Sequence, residues 1–151
     1  MRRILSSCRV HDRVTFLCSP FVFLLGFLIS PQVAVIATIC FLFSGLLFNG
    51  DLDIHSDIYK RWGPLRFLWL PYRRFGHRSK WTHGFLRGTL IRLMWVGWIP
   101  IVALSFYGID IISFLRIYWY EVVVGLIGLE IGAMSHTIMD LSSTGWKRLW
   151  N

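Results

Sequence analysis

The sequence predicts an all-α integral membrane protein, a helical bundle of about four transmembrane helices in two hairpins with an interfacial segment between them. Three observations predict it. The 151 residues are 55% hydrophobic with a mean hydropathy of +0.56, against about 45–50% apolar in an ordinary globular chain. The apolar residues gather in four long blocks. Of the 16 Lys and Arg, 15 fall on one side of a four-span topology and only Arg116 on the other.

The first block, Val14 to Ile29, follows a basic stretch with Arg2, Arg3, Arg9, His11, Asp12 and Arg13. No A-x-A-like site ends it, so it reads as a retained membrane segment rather than a cleaved signal. Ser30, Pro31 and Gln32 interrupt it, and the second block runs from Val33 to Phe48. Each block holds about 16 residues, roughly 24 Å as a helix, at the short end for a bilayer core of about 30 Å. A tight hairpin is expected, with one bent or re-entrant segment as the alternative.

Asn49 and Gly50 signal a turn. The stretch from Gly50 to Gly84 is a polar island that contains Asp51, Asp53, Asp57, His55, His77 and His83. Inside it, Trp62, Leu65, Phe67, Leu68, Trp69, Leu70 and Tyr72 alternate with Arg61, Arg66, Arg73 and Arg74. Aromatics beside arginines suit the headgroup layer. Nucleic-acid stacking uses the same residue types, but apolar blocks of this length favour the membrane, so no nucleic acid is expected as a partner. His55 and Asp57 read as solvated loop residues, and the middle of the segment, from Tyr59 to Arg74, as an interfacial strap.

The third block, Phe85 to Tyr107, has Arg87 and Arg92 near its start, placed to snorkel, and Pro100 as an expected kink. Gly108 to Arg116 reads as a weakly polar connection. The fourth block, Ile117 to Met139, is broken only by Glu121, Glu130 and His136. Gly125, Gly128 and Gly132 permit close helix packing. A carboxylate at membrane depth normally has a partner or a function. Glu130 therefore reads as a hydrogen-bond partner of His136 or His11 rather than a ligand. Cys8, Cys18 and Cys40 lack CxxC spacing and read as small buried hydrophobes. No repeat or low-complexity tract divides the chain, so residues 1–151 are expected to form one membrane-embedded, metal-binding domain.

The positive-inside rule places both termini and the central segment in the cytoplasm of a multi-pass inner-membrane protein. The same topology brings His11, Asp51, Asp53, His77, His83, His136 and Asp140 to one membrane level. His and Asp are ligands for Zn, Mn or Fe. His136 and Asp140, spaced i, i+4, share a helix face. Each group also has a plainer reading. A His near a helix end caps carbonyls, Asp51 and Asp53 cap a turn, and His136 with Asp140 forms a hydrogen-bonded pair without metal.

The motifs GDLDI, HRSKWTHG, His136-x3-Asp140 and the early Arg9-x-His11-Asp12 resemble a family of small multi-pass bacterial proteins known as uncharacterised metal-binding proteins. That family is akin to the YdjM-like membrane-bound metal-dependent hydrolases. The family pattern has Pro before the first Asp, where this chain has Gly50, and Ser before the second His, where it has Thr82. The resemblance implies metal binding by the same seven residues and, more weakly, hydrolysis.

The expected function is binding of one or two divalent ions at the cytoplasmic face and hydrolysis of a phosphate- or lipid-linked substrate. Asp53 and Arg78 are the expected catalytic residues. Asp51 or Asp53 would bridge ions or act as base, and Arg78, with Lys80, would neutralise substrate charge. The alternative is a non-catalytic scaffold or regulator with a structural His/Asp site.

Overall fold

The computed structural model describes residues 2–76, 79 and 81–149, with the side chains of 2–8 and 143–149 left undescribed. Among the described residues, seven α-helices follow in order: α1 (Arg2–Phe27), α2 (Pro31–Leu47), α3 (Asp57–Arg61), α4 (Arg87–Val96), α5 (Trp98–Phe106), α6 (Ile111–Ile117) and α7 (Trp119–Leu149). Three 3-10 segments, Gly50–Asp53, Gly63–Trp69 and Tyr72–Phe75, lie in the central stretch. No strand occurs among the described residues. Four helical stretches are long and apolar enough to cross a membrane: Arg9–Phe27, Pro31–Asp53, Arg87–Phe106 and Trp119–Ser142.

Helix α1 is longer than its apolar block because the preceding arginines are good helix formers. Its 26 residues rise about 39 Å. Pro20 lies inside it and cannot donate to the carbonyl four residues back. Ser19 supplies a substitute, donating its hydroxyl to the Phe16 carbonyl at 2.9 Å. The hairpin expected at residues 30–32 forms. Ser30 caps α2 by accepting from the Val33 amide at 3.1 Å, and Pro31 opens the helix, where its missing N–H costs nothing.

Helix α2 is the centre of the bundle, packed against α1 and α7. The glycines of α7 permit this approach. A Cβ on Gly128 would meet the Ala37 carbonyl oxygen at 2.6 Å, and one on Gly132 would meet that of Phe41 at 2.5 Å. The third span packs less closely. It breaks at Gly97, between α4 and α5, one turn before Pro100, whose ring opposes the carbonyl of Val96. The expected kink thus falls at the glycine. α5 and α6 bury none of their residues. The 108–116 connection is partly helical, because Asp110 caps α6 through the amides of Ile112 and Ser113. The Ser113 hydroxyl and these two amides hold the Asp110 carboxyl below the usual carboxylate range.

The central stretch is more than a surface strap. Trp69 and Tyr72 are fully buried and form an aromatic core with Phe48, Leu52, Ile58 and Tyr59. Trp69 packs edge-on against Phe48, Trp62 and Tyr72. Leu65, Phe67 and Leu70, on the same short turns, are exposed. Trp69 closes the Gly63–Trp69 segment and Tyr72 opens the Tyr72–Phe75 segment, so both face inward at the junction of the two. Ser56 caps α3, Asp57 pairs with Lys60 at 2.9 Å, and His55 is exposed, as expected of solvated residues. Arg61 forms an ion pair with Asp12 and donates to the Leu46 carbonyl at 2.8 Å, so α3 ties α1 to the end of α2.

Candidate metal centre

Four segments of the chain meet in one cluster. Asp51 comes from the 3-10 turn after α2, His83 from the loop before α4, and His136 and Asp140 from α7. Each offers one ligand atom, and these atoms all lie within 4.8 Å of one another. His136 Nε2 is 3.3 Å from Asp51 Oδ1 and 3.6 Å from Asp140 Oδ2. His83 Nε2 is 3.8 Å from Asp51 Oδ1 and 4.0 Å from Asp140 Oδ2. His11, from α1, joins at the far side. Its Nε2 is 3.3 Å from Asp140 Oδ1, and its ring lies 4.3 Å from that of His136. Asp140 thus turns one oxygen to the quartet and the other to His11.

Local chemistry sets each group. Asn49, fully buried, accepts from the Asp51 amide at 3.1 Å and donates to the Gly45 carbonyl at 3.0 Å. Ser56 donates to the Asp51 carbonyl at 2.8 Å. The backbone of Asp51 is therefore held from both sides. The Asn-Gly-Asp sequence, with its propensity for a side-chain-capped turn, is the signal of this clamp: the expected turn forms, with Asn49 as its cap. The i, i+4 spacing stacks His136 and Asp140 on one face of α7. His83 lies against backbone: a Cβ on Gly50 would approach its ring within 2.6 Å.

A divalent ion fits these donors. Four ligands around an ion at roughly 2.0–2.2 Å are separated by roughly 3.4 Å in a tetrahedron. The four His–Asp distances of 3.3, 3.6, 3.8 and 4.0 Å match after a slight inward closure. Two carboxylates so close together in a largely buried site repel each other unless positive charge lies between them. Imidazole nitrogens and carboxylate oxygens, with no thiolate, suit Zn, Mn or Fe.

Of the seven expected ligands, the structure converges His11, Asp51, His83, His136 and Asp140. His77 and Arg78 lie outside the described residues, as does Lys80. Asp53 is not one of the quartet. It is buried, in the electrostatic field of Arg92 and Tyr72. Asp51 and Asp53 stand two positions apart on the 3-10 turn, about 240° around its three-residue repeat, so their side chains leave it in different directions. Burial pushes the Tyr72 hydroxyl above its ordinary value, against the opposing pull of Arg92. Glu130 does not reach His136 or His11 through its recorded bond. Its Oε1 accepts from the Leu86 amide at 2.9 Å, joining mid-α7 to the loop that follows His83. Leu86 has a positive φ of 58°, a conformation disfavoured for a bulky side chain and held here by that bond.

A helical bundle that draws imidazoles and carboxylates from separate segments of the chain into one small cluster defines a class: an α-helical metal-binding protein. The chain belongs to the family of uncharacterized metal-binding proteins DUF2227, whose model matches residues 6–150. No curated protein and no solved structure matches it.

Proposed function

We propose that the protein is a membrane-embedded, metal-dependent hydrolase whose centre faces the cytoplasm and acts on a phosphate- or lipid-linked substrate, a kinship with the YdjM-like hydrolases. The observation that carries the reading is the donor set and its exposure. The imidazoles of His83 and His136 are buried, with side-chain exposures of 8% and 2%, whereas Asp51 and Asp140 keep 19% and 14%. The carboxylate side of the site is the side a substrate can approach. When bound there, a divalent ion supplies Lewis acidity and a lowered pKa for water. His83, His136, Asp51 and Asp140 would hold it. The His11–Asp140 pair is placed to take and return a proton at His11 Nε2. Arg78 and Lys80, five and three residues before His83, are the cations proposed to meet an anionic substrate.

Membrane residence is supported by the four long apolar helices and by the exposed Leu17, Phe21, Leu24 and Leu25 along α1 and Leu28 just after it. A monomer in water rarely exposes so contiguous an apolar surface. The cytoplasmic side is supported by the charge count of the four-span topology, which puts 15 of the 16 Lys and Arg on one side.

One feature favours a second reading, a scaffold or regulator with a structural ion. Four protein donors can close a tetrahedron, as structural sites do. The deciding experiment is elemental analysis of detergent-purified protein, followed by hydrolysis of a phosphoester and lipid panel with and without chelator. The hydrolase reading expects bound metal, chelator-sensitive turnover, and an Asp51→Asn variant that folds but is inactive. A metal-loaded wild type that turns over no member of the panel, with an Asp51→Asn variant that unfolds, supports the structural reading instead.

A further inference from the structure

Helix α4 carries an arginine that does not snorkel. Arg92 is 1% exposed, where a cation is retained only with partners. Asp53 and Glu130 are its anionic neighbours, and its guanidinium lies 5.5 Å over the Phe48 ring. Its two directed bonds go elsewhere. Nη2 donates to Thr89 Oγ1 at 3.0 Å on its own helix, and Nη1 donates to the Thr82 carbonyl at 2.9 Å. Gly88 makes room for that second bond, since a Cβ there would stand 2.7 Å from the Thr82 carbonyl oxygen.

Thr82 is the residue before His83 and is fully buried. Its hydroxyl lies 3.0 Å from His83 Nδ1 and 3.3 Å from the Gly76 carbonyl. For His83 Nε2 to offer a lone pair, Nδ1 must carry the ring proton. Nδ1–H then donates to Thr82 Oγ1, and the hydroxyl proton is given to the Gly76 carbonyl. The orientation and tautomer of His83 therefore depend on where Thr82 is held.

We propose that Arg92 is a positioning residue of the metal centre. It fixes Thr82 through its carbonyl, and Thr82 presents His83 Nε2 to the ion. This rests on the metal reading of the quartet. The buried charge, balanced by Asp53 and Glu130, serves as an anchor from which a rigid fork reaches the ligand loop, a geometry lysine cannot copy.

The test is Co2+ titration of the detergent-purified full chain, read by affinity and by the visible absorption band of the bound ion. Thr82→Ser should match wild type, because it keeps the hydroxyl. Thr82→Val and Arg92→Met should bind roughly 10–100-fold more weakly, the usual loss when a ligand's hydrogen-bond partner is removed, with an altered band. Arg92→Lys should fall between. Folded Thr82→Val and Arg92→Lys variants with wild-type affinity and band overturn the proposal, even where Arg92→Met fails to fold. A lower thermal midpoint with an unchanged band would likewise assign Arg92 a merely structural role and overturn it. Absence of Co2+ binding by the wild type would remove the metal reading of the quartet and this proposal with it. Unchanged binding in the folded variants would remove this proposal alone.

Discussion

His136 Nε2 lies 3.3 Å from Asp51 Oδ1, which joins the C-terminal part of α7 to the turn that follows α2. No local rule brings these residues together. The packing of α2 against α7 does so, and Gly125, Gly128 and Gly132 of α7 make that packing possible.

His136→Ala should abolish stoichiometric metal binding. His136 is the most buried member of the quartet and faces both carboxylates. Its removal should lower affinity by more than the roughly 10–100-fold typical of groups beyond the ligands. Elemental analysis of purified variant and wild type checks it.

Gly50→Ala should weaken metal binding with only modest destabilisation. The new methyl would press on His83 ring atoms at 2.6–2.8 Å, so the ring must move. Overpacking of this kind costs about 1–3 kcal/mol. A metal titration beside a thermal melt separates the two effects.

Gly128→Leu and Gly132→Val should disrupt the bundle itself. Their Cβ atoms would meet α2 carbonyl oxygens at 2.6 and 2.5 Å, and backbone cannot yield as a flexible side chain does. The expected loss is about 1–3 kcal/mol or more for each, seen as a lower thermal midpoint in detergent. Gly125→Ala, where the nearest atom is the Cys40 sulfur at 3.3 Å, should be milder.

Glu130→Ala should destabilise more than Glu130→Gln. The alanine leaves the Leu86 amide without its acceptor, at about 1–3 kcal/mol, and deprives buried Arg92 of an anionic neighbour. The glutamine keeps an oxygen for Leu86. Comparing their melts with that of Arg92→Lys reports whether the charge or the hydrogen bond matters more.

The Asp12–Arg61 pair is partly exposed, with side-chain exposures of 23% and 32%. A double-mutant cycle with alanines should return a coupling of only about 0.2–1 kcal/mol. Arg61 also donates to the Leu46 carbonyl, so Arg61→Ala alone should cost more than Asp12→Ala.

Much was legible from residue order. The apolar blocks marked the spanning helices, Ser30-Pro31 marked the hairpin, and the glycines of the fourth block marked a packing face, because each signal is local in the chain. The shared level of His11, Asp51, His83, His136 and Asp140 followed from counting spans. Element ends were less legible. α1 extends into its basic leader because helix propensity does not depend on hydropathy, and the third span breaks at Gly97, which pattern alone did not separate from Pro100.

By itself, then, the sequence determined an all-helical chain with four apolar helices and His and Asp residues gathered at one end, since hydropathy and span count need no knowledge of contacts. Tertiary structure alone decided which of those groups meet. Asp51 and Asp53 look equivalent on paper, yet the first joins the quartet and the second lies in the field of Arg92. Arg92 reads as a surface cation but is buried, and Glu130 reads as a partner of histidine but holds a backbone amide. The reason is physical: a side chain's direction depends on the turn that carries it and on which neighbours exclude water around it, and both are set only when distant segments pack.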